Sequence, residues 1–309
     1  MKTIILLSGG LGRGVAALPA LVKFNRNNPD LDWYVSIPSW DYIGDCIPEI
    51  QDRIFDAENR NAWGHIFLKA DVVITPEPYA LPNFYKGNIN LVEAFDELIN
   101  NTTDHSDLDY ECLRLSGHEL DQGKNVIMSV HDVYKKRRTV VINPYGSTAL
   151  KTRWGVRDET YRSMSEDLFY KLCEKLVEKY NVIFMGNNDL LLTDFQGCCP
   201  PKPDPHMRIW MATISQVDYF IGCDTSGQHI ARSLGKRGCV FMGGTSKNSY
   251  SYPDHFLTFQ KRKPSPLTFR LSQTQYNLAN NLNHDMMDYD DDEIETIFQT
   301  IVEDIESYD

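Results

Sequence analysis

The chain has 309 residues, with 31 lysines and arginines against 43 acidic residues and a formal net charge of −12. Its 42% hydrophobic and 24% charged residues exclude a disordered chain, and its length exceeds what one core usually supports, so two domains of about 150 residues are expected. The acidic balance speaks against a nucleic-acid coat or a membrane-surface protein, but it is local: residues 285–309 hold 11 of the acids and no lysine or arginine, leaving 32 acids against 31 basic residues elsewhere.

Met1–Ser8 imitates a signal peptide. Its apolar core, Ile4–Leu7, is too short for one and is followed at once by Gly9-Gly10-Leu11-Gly12, so a buried first strand over Lys2–Ser8 is the better reading. Further strands are expected at Trp33–Pro38, Asp71–Thr75 and Val126–Val130, then at Thr139–Asn143, Asn181–Met185, Asp218–Gly222 and Cys239–Met242. Amphipathic stretches lie between them, such as Leu168–Tyr180 with Leu168, Leu172, Leu176 and Val177 on one face. Strands alternating with helices imply an α/β fold with parallel sheets. The polar run Lys135–Arg138 reads as the break, giving domains at 1–135 and 136–284. The tail, 285–309, repeats apolar residues at Ile294, Ile297, Phe298, Ile301, Val302 and Ile305, the spacing of one amphipathic helix docked on the body. Asp290-Asp-Asp292 suits the start of that helix better than a metal site. No apolar run reaches the roughly 18–20 residues that span a bilayer. There are seven cysteines and no C-x-x-C, so reduced thiols in a cytoplasmic protein are expected.

Ligands of open parallel sheets bind beyond the carboxyl ends of the strands. The first such loop, Ser8–Gly14, resembles a dinucleotide fingerprint, but its glycines at 9, 10, 12 and 14 do not fit G-x-G-x-x-G, and no acid ends the second strand. A backbone that comes close to a ligand is the remaining meaning, with Gly12 in it. The second loop, Asn143–Trp154, offers Gly146, Ser147, Thr148, Lys151 and Arg153. Hydroxyls, free N–H groups and two cations suit a diphosphate. The third, Gly222-Cys-Asp-Thr-Ser-Gly-Gln-His229, ends a strand and opens a helix. There Asp224 can cap, the N–H groups of Thr225, Ser226, Gly227 and Gln228 favour an anion, and His229 can add a charge-assisted contact.

Taken together, Asn143-Pro-Tyr-Gly146, Lys151-Thr-Arg-Trp154, Met185-Gly186, Gly222–Ala231, Leu234-Gly-Lys-Arg237 and Phe241-Met-Gly-Gly-Thr245 resemble, in order and spacing over about 100 residues, the C-terminal domain of the ADP-heptose:lipopolysaccharide heptosyltransferases. Leu11–Leu21 and Asn28-Pro-Asp-Leu31 are similar to that family's first segments. The resemblance implies a GT-B fold, with two Rossmann-like domains facing across a cleft. It also implies an inverting transfer of a hexosyl, pentosyl or heptosyl group from a nucleotide-sugar. The donor would be held by Gly12, Ser147, Thr148, Lys151, Arg153, Gly186, Asp224, Thr225, Ser226, Gly227 and His229, with the nucleobase near Gly186 and Met207–Ser215. No cofactor and no metal are expected.

The chain departs from the pattern at Arg13, where the family has the acid thought to deprotonate the acceptor; arginine cannot do that. Glu77 and Asp41 are the substitute bases considered first, with Arg13 free to hold a phosphate or an anionic acceptor. Asn187-Asn188 replace an expected acid. The acceptor is read as a glycan or lipopolysaccharide hydroxyl. A hydroxymethylated base of DNA is an alternative, as in bacteriophage DNA glycosyltransferases, with Lys135–Arg138 and Lys261–Lys263 as phosphate contacts. A non-catalytic sugar-nucleotide-binding module is the other alternative.

Overall fold

The structure, a computed structural model, describes residues 1–37, 41–55, 60–134, 136, 138–158, 160–191, 206–262 and 286–307. It divides into two compact units, one of Met1–Ser116 with Ser233–Gly235 and the other of Gly117–Arg232 with Lys236–Asp309.

The first unit is built on a parallel sheet of β1 (Lys2–Leu6), β2 (Asp32–Ser36) and β3 (Val72–Ile74), in the order β2-β1-β3. Helix α1 (Leu11–Asn27) follows β1 and is almost wholly buried along Val15–Leu21. The short helices α2 (Arg60–His65) and α3 (Pro82–Lys86) precede α4 (Leu91–Asn100). Asn90 starts α4 with a capping box: its side chain accepts from the Val92 and Glu93 N–H groups, and Glu93 accepts from the Asn90 N–H. Helices α1 and α4 pack together, and a buried ion pair joins them, with Lys23 Nζ 3.0 Å from Asp96 Oδ2.

The second unit carries a five-stranded parallel sheet in the order β10-β9-β8-β4-β7: β4 (Thr139–Asn143), β7 (Asn181–Phe184), β8 (Tyr219–Cys223), β9 (Gly238–Phe241) and β10 (Leu257–Phe259). All residues of β4, β7, β8 and β9 are buried, as a sheet covered on both faces requires. A hairpin of β5 (Leu150–Thr152) and β6 (Gly155–Arg157) stands apart from the sheet. The helices are α5 (Gly117–Tyr134), α6 (Glu166–Lys179), α7 (Met207–Gln216), α8 (Ser226–Ser233), the short α9 (Lys247–Tyr250) and α10 (Asp291–Glu306). The terminal helix docks as its spacing predicts. Its apolar face joins the core of β4, β7 and α6, while Lys171 and Lys175 of α6 pair with Asp291 at 2.7 Å and Glu295 at 2.6 Å. Asp290 and Glu293 form its capping box.

Two expectations change. Val126–Val130 is not a strand; it lies inside α5. Its apolar run imitates a strand, yet the buried positions nearby are Glu119, Gly123 and Val130, with Val126 and Ile127 between them, which is a helical period. This helix belongs with the second unit, where it packs along α7 and where Arg208 bonds Glu119, so the seam falls at Ser116/Gly117 and not near 135. The two described residues of the run 135–138 are engaged within the second unit. Arg138 is buried, donates to the Ile305 carbonyl and lies 3.8 Å from Glu306, and the Lys136 ammonium donates to the Glu178 carbonyl. Lys261 likewise bonds Glu293 at 2.6 Å; Lys135, Arg137 and Lys263 lie outside the described residues.

The α5–α7 contact depends on the absence of one methyl group. A Cβ at Gly123 would stand 2.5 Å from the Ala212 carbonyl carbon and oxygen and 2.9 Å from the Thr213 nitrogen. These are backbone atoms and cannot rotate away. Alanine gains about 1 kcal/mol in helix propensity, but such overlap costs about 1–3 kcal/mol or more. Gly123→Ala is therefore expected to lower the melting temperature, while Gly117→Ala, with open space around it, leaves it unchanged or raises it. An unchanged melting point for Gly123→Ala would show that the two helices do not approach this closely.

Candidate functional site

In the second unit the chain passes from β4 to β7 on one side and then to β8 on the other side of β4, so strand order reverses between β4 and β8. The carboxyl ends at such a reversal are where α/β sheets bind ligands. The loops after β4 and β8 leave the sheet there, and the loop after β7 leaves beside them.

Asn143, the last residue of β4, ties all three together. Its amide nitrogen donates to the Met185 carbonyl at 2.8 Å, and its amide oxygen accepts from the Thr225 hydroxyl at 2.5 Å. Thr225 Oγ1 accepts in turn from the Gly227 N–H at 3.3 Å, so Thr225 caps α8 in the role expected of Asp224. Gly227 packs directly on this arrangement, since a Cβ there would lie 2.4 Å from Asn143 Oδ1. Ser226 is the first residue of α8 and is partly exposed.

Asp224 sits beneath, buried, accepting from the Thr245 hydroxyl at 2.7 Å and the Gln228 amide at 3.2 Å. Burial pushes its carboxyl up; the nearby Arg162 guanidinium and the bond from Thr245 oppose this without overcoming it. Gln228 is fully buried, and its carbonyl oxygen has no partner among the described residues. His229 is also buried. Its Nδ1 lies 2.7 Å from the Tyr252 hydroxyl, and burial pulls its pKa down to about 4. The ring is neutral at pH 7, so any contact it makes to an anion lacks the imidazolium charge that its sequence position suggests.

The loop after β4 separates its polar residues. Ser147 and Thr148 are exposed, with the Thr148 hydroxyl 2.9 Å from Asp158 Oδ1. Lys151 and Arg153 are carried onto the β5–β6 hairpin, where Thr152 pairs with Gly155 and leaves Arg153-Trp154 as a two-residue turn. The Lys151 ammonium donates to the Leu191 carbonyl at 3.3 Å, and the Arg153 guanidinium lies 4.5 Å from the centroid of the exposed Trp154 ring. Gly186 follows β7, and a Cβ on it would meet the Phe184 ring at 2.8 Å. In Met207–Ser215, the segment expected beside a nucleobase, Trp210 to Ile214 are buried within α7.

Sequence reasoning missed the segment 158–163. Asp158 accepts from the Thr160 N–H and hydroxyl (2.9 and 2.5 Å), the Ser163 N–H and hydroxyl (3.2 and 2.6 Å) and Thr148. Burial alone would push this carboxyl up, but the bonds from Ser163, Thr160 and Thr148 outweigh it and hold it below the usual range. The available signal was one acid followed closely by Thr160 and Ser163, a composition that hydrogen-bonds to its own backbone.

In the first unit strand order reverses between β1 and β3, and two candidates meet there. Arg13, in the first turn of α1 beside Gly12, donates to both oxygens of Glu77 at 3.1 and 3.4 Å. Its guanidinium lies 4.8 Å from the Tyr79 ring centroid and 5.7 Å from that of Phe95. Gly9, at φ +100°, lies against its stem: a Cβ there would stand 2.6 Å from Arg13 Cδ. Glu77 is about half exposed and also accepts the Tyr79 N–H at 3.1 Å. Asp41 opens the turn Asp41–Cys46, and its side chain lies outside the described residues.

Among the described residues, no three histidine, cysteine, aspartate or glutamate residues are grouped to hold a metal ion, no helix is long and apolar enough to cross a membrane, and the five cysteines are free and buried.

No family model and no curated protein matches the sequence. Solved structures match in fold. The family 9 glycosyl transferase of Veillonella parvula superposes with a TM-score of 0.62 at 10% identity, covering 97% of each chain. The E. coli ADP-heptose lipopolysaccharide heptosyltransferase II gives 0.58 at 16% identity, covering 91% of this chain and 99% of its own. The E. coli heptosyltransferase WaaC, solved with ADP, gives 0.55 at 13% identity, covering 90% of this chain and all of its own. TibC of enterotoxigenic E. coli, an iron-containing dodecameric glycosyltransferase, gives 0.59 at 12% identity over 99% of this chain and 78% of its own. The shared architecture is the α/β GT-B fold.

Proposed function

We propose that this chain is a glycosyltransferase that takes a sugar from a nucleotide-sugar donor and places it, with inversion, on a hydroxyl of a glycan-type acceptor, using no cofactor or metal of its own. The observation that carries this reading is the Asn143–Thr225–Gly227 lock at the β4–β8 reversal. It fixes the start of α8, where first-turn N–H groups and the helix dipole favour an anion. That WaaC was solved with ADP on the same fold supports a nucleoside diphosphate there.

In this reading the hydroxyls of Ser147 and Ser226 and the first-turn N–H groups of α8 receive the diphosphate, with Gly186 on the nucleobase side. The acceptor oxygen gives its proton to a carboxylate and bonds to the anomeric carbon. The bond from that carbon to the diphosphate oxygen breaks, and its electron pair leaves with the nucleoside diphosphate. The charge that grows on the leaving group is what the N–H groups offset. Glu77, held by Arg13, is the carboxylate proposed for the proton, with Asp41 the second choice.

A thermal-shift panel of UDP-, ADP-, GDP- and dTDP-sugars tests the reading. A donor at a hundredfold excess over its Kd adds about 2.7 kcal/mol to stability, so one member should raise the melting temperature by several degrees. No shift with any of them would overturn it. A shift without release of nucleoside diphosphate in the presence of glycan acceptors would make the chain a sugar-nucleotide-binding module.

A further inference from the structure

The cations expected to meet the diphosphate, Lys151 and Arg153, are on the exposed hairpin, which leaves open what charge stands at the reversal itself. The segment 158–163 supplies one. Arg162 is partly buried, its Nε donates to the Thr160 hydroxyl at 3.1 Å, and its Nη2 lies 3.5 Å from the Thr148 hydroxyl. Thr148 belongs to the loop after β4 and accepts from one of the forked nitrogens, so the guanidinium is tied to that loop.

The backbone around Arg162 is held from several directions. Tyr161 has φ +52°, a conformation that a bulky residue adopts only when its surroundings impose it. Here the Tyr161 carbonyl accepts the Gly244 N–H at 2.8 Å, and a Cβ at Gly243 would stand 2.2 Å from that same oxygen. Asp158 closes the other side through its bonds to Thr160 and Ser163. Gly146 N–H donates to the Ser163 hydroxyl at 2.9 Å, which joins the segment to the loop after β4 a second time. The guanidinium is also near enough to Asp224, just ahead of α8, to be the chief electrostatic influence opposing the rise of its carboxyl.

We infer that Arg162 is a diphosphate-binding residue of the donor site, and that Asp158 positions it through the hydroxyls of Thr148 and Thr160. The inference rests on the proposed donor site and adds to it the side chain that supplies the charge. Two features decide for a nucleoside diphosphate over an uncharged ligand. The fork of an arginine matches phosphate oxygens in pairs, and it stands at the same strand reversal as the first turn of α8. The five hydrogen bonds that Asp158 accepts come from Thr148, Thr160 and Ser163 and none from Arg162, and burial acts against the charged form of Asp224.

Titration calorimetry of the full chain with ADP, UDP, GDP, dTDP and the parent nucleosides tests this. Arg162→Gln should weaken the nucleoside diphosphate that binds by about tenfold to a hundredfold, the range for a lost bond to a charged group, and leave the parent nucleoside unchanged. Arg162→Lys should recover part of the loss. Asp158→Asn should weaken the diphosphate by less than Arg162→Gln does, again without touching the nucleoside. Lys151→Ala and Arg153→Ala should each change it less than threefold. Unchanged diphosphate affinity in Arg162→Gln, or an equal loss for the nucleoside, would overturn the inference and leave the donor site standing; a wild-type chain that binds none of ADP, UDP, GDP and dTDP would overturn both. Should Arg162→Gln fail to fold, Arg162→Lys carries the test, since full wild-type affinity there would show that the fork is not used.

Discussion

Replacing Asp96 with alanine is expected to cost the first unit about 3 kcal/mol, the lower end of the range for removing one partner of a buried ion pair. Asp96 is fully buried and serves three groups: Lys23 Nζ at 3.0 Å, the Asn100 amide at 2.8 Å and His105 Nδ1 at 2.8 Å. Burial pulls the Lys23 ammonium down, but the bonds to Asp107 and Asp96 push it up and prevail, so the group stays charged. Without Asp96 that charge remains inside with Asp107, 2.6 Å away, as its one carboxylate partner. This is why the lower end of the range applies. The same change takes one of two acceptors from the Asn100 amide, which still donates to the Ala20 carbonyl at 2.9 Å, and removes the carboxylate beside the His105 ring. Asp96→Asn keeps an acceptor and should cost less. Because Lys23 is on α1 and Asp96 on α4, hydrogen exchange in those two helices is the measurement. Protection equal to wild type in Asp96→Ala would show that the pair does not hold them.

Acid should weaken the second unit through His229. Its pKa is about 4 in the folded chain against 6.5 for the free side chain. A depressed value means that the unfolded chain binds the proton first. The stabilising contribution is therefore whole above about pH 6.5 and is lost as pH falls toward 4, amounting to about 3 kcal/mol at the low end. Asp224 works in the opposite sense, because its raised carboxyl takes up a proton more readily when folded. Other carboxylates contribute as well, so the quantity to read is the difference between wild type and His229→Gln in melts from pH 7 to pH 4. The variant should lose less on acidification, and parallel curves would show that the imidazole is not buried neutral.

Much of the architecture could be read from residue patterns, and the failures have physical causes. The strands at Lys2, Asp32, Thr139, Asn181, Tyr219 and Gly238 announce themselves because buried parallel strands are short apolar runs between turns. The terminal helix does so by its period and by Asp290 and Glu293 at its start. Helix α5 escaped because Val126–Val130 is short and apolar, and only the burial of Glu119, Gly123 and Val130 separates the two periods. At the site, the loops after β4 and β8 were found from glycines and hydroxyls, but their internal partners were not. Asp224 and Thr225 are adjacent and both can cap; which one does depends on Asn143, 82 residues away. Arg13 and Glu77, considered separately, form one pair across 64 residues for the same reason. The hairpin tip at Arg153-Trp154 carried Lys151 and Arg153 out of the loop that their spacing suggested.

The packing of α5 on α7 also decides where the chain can be divided. A fragment that starts at residue 136 would carry the second sheet but leave α7 without the helix that covers it, with Arg208 deprived of Glu119. One that starts at Gly117 keeps both. For split-protein reassembly, or for expressing the sheet of the proposed donor site by itself, the first half of the chain must therefore give up its last helix to the second.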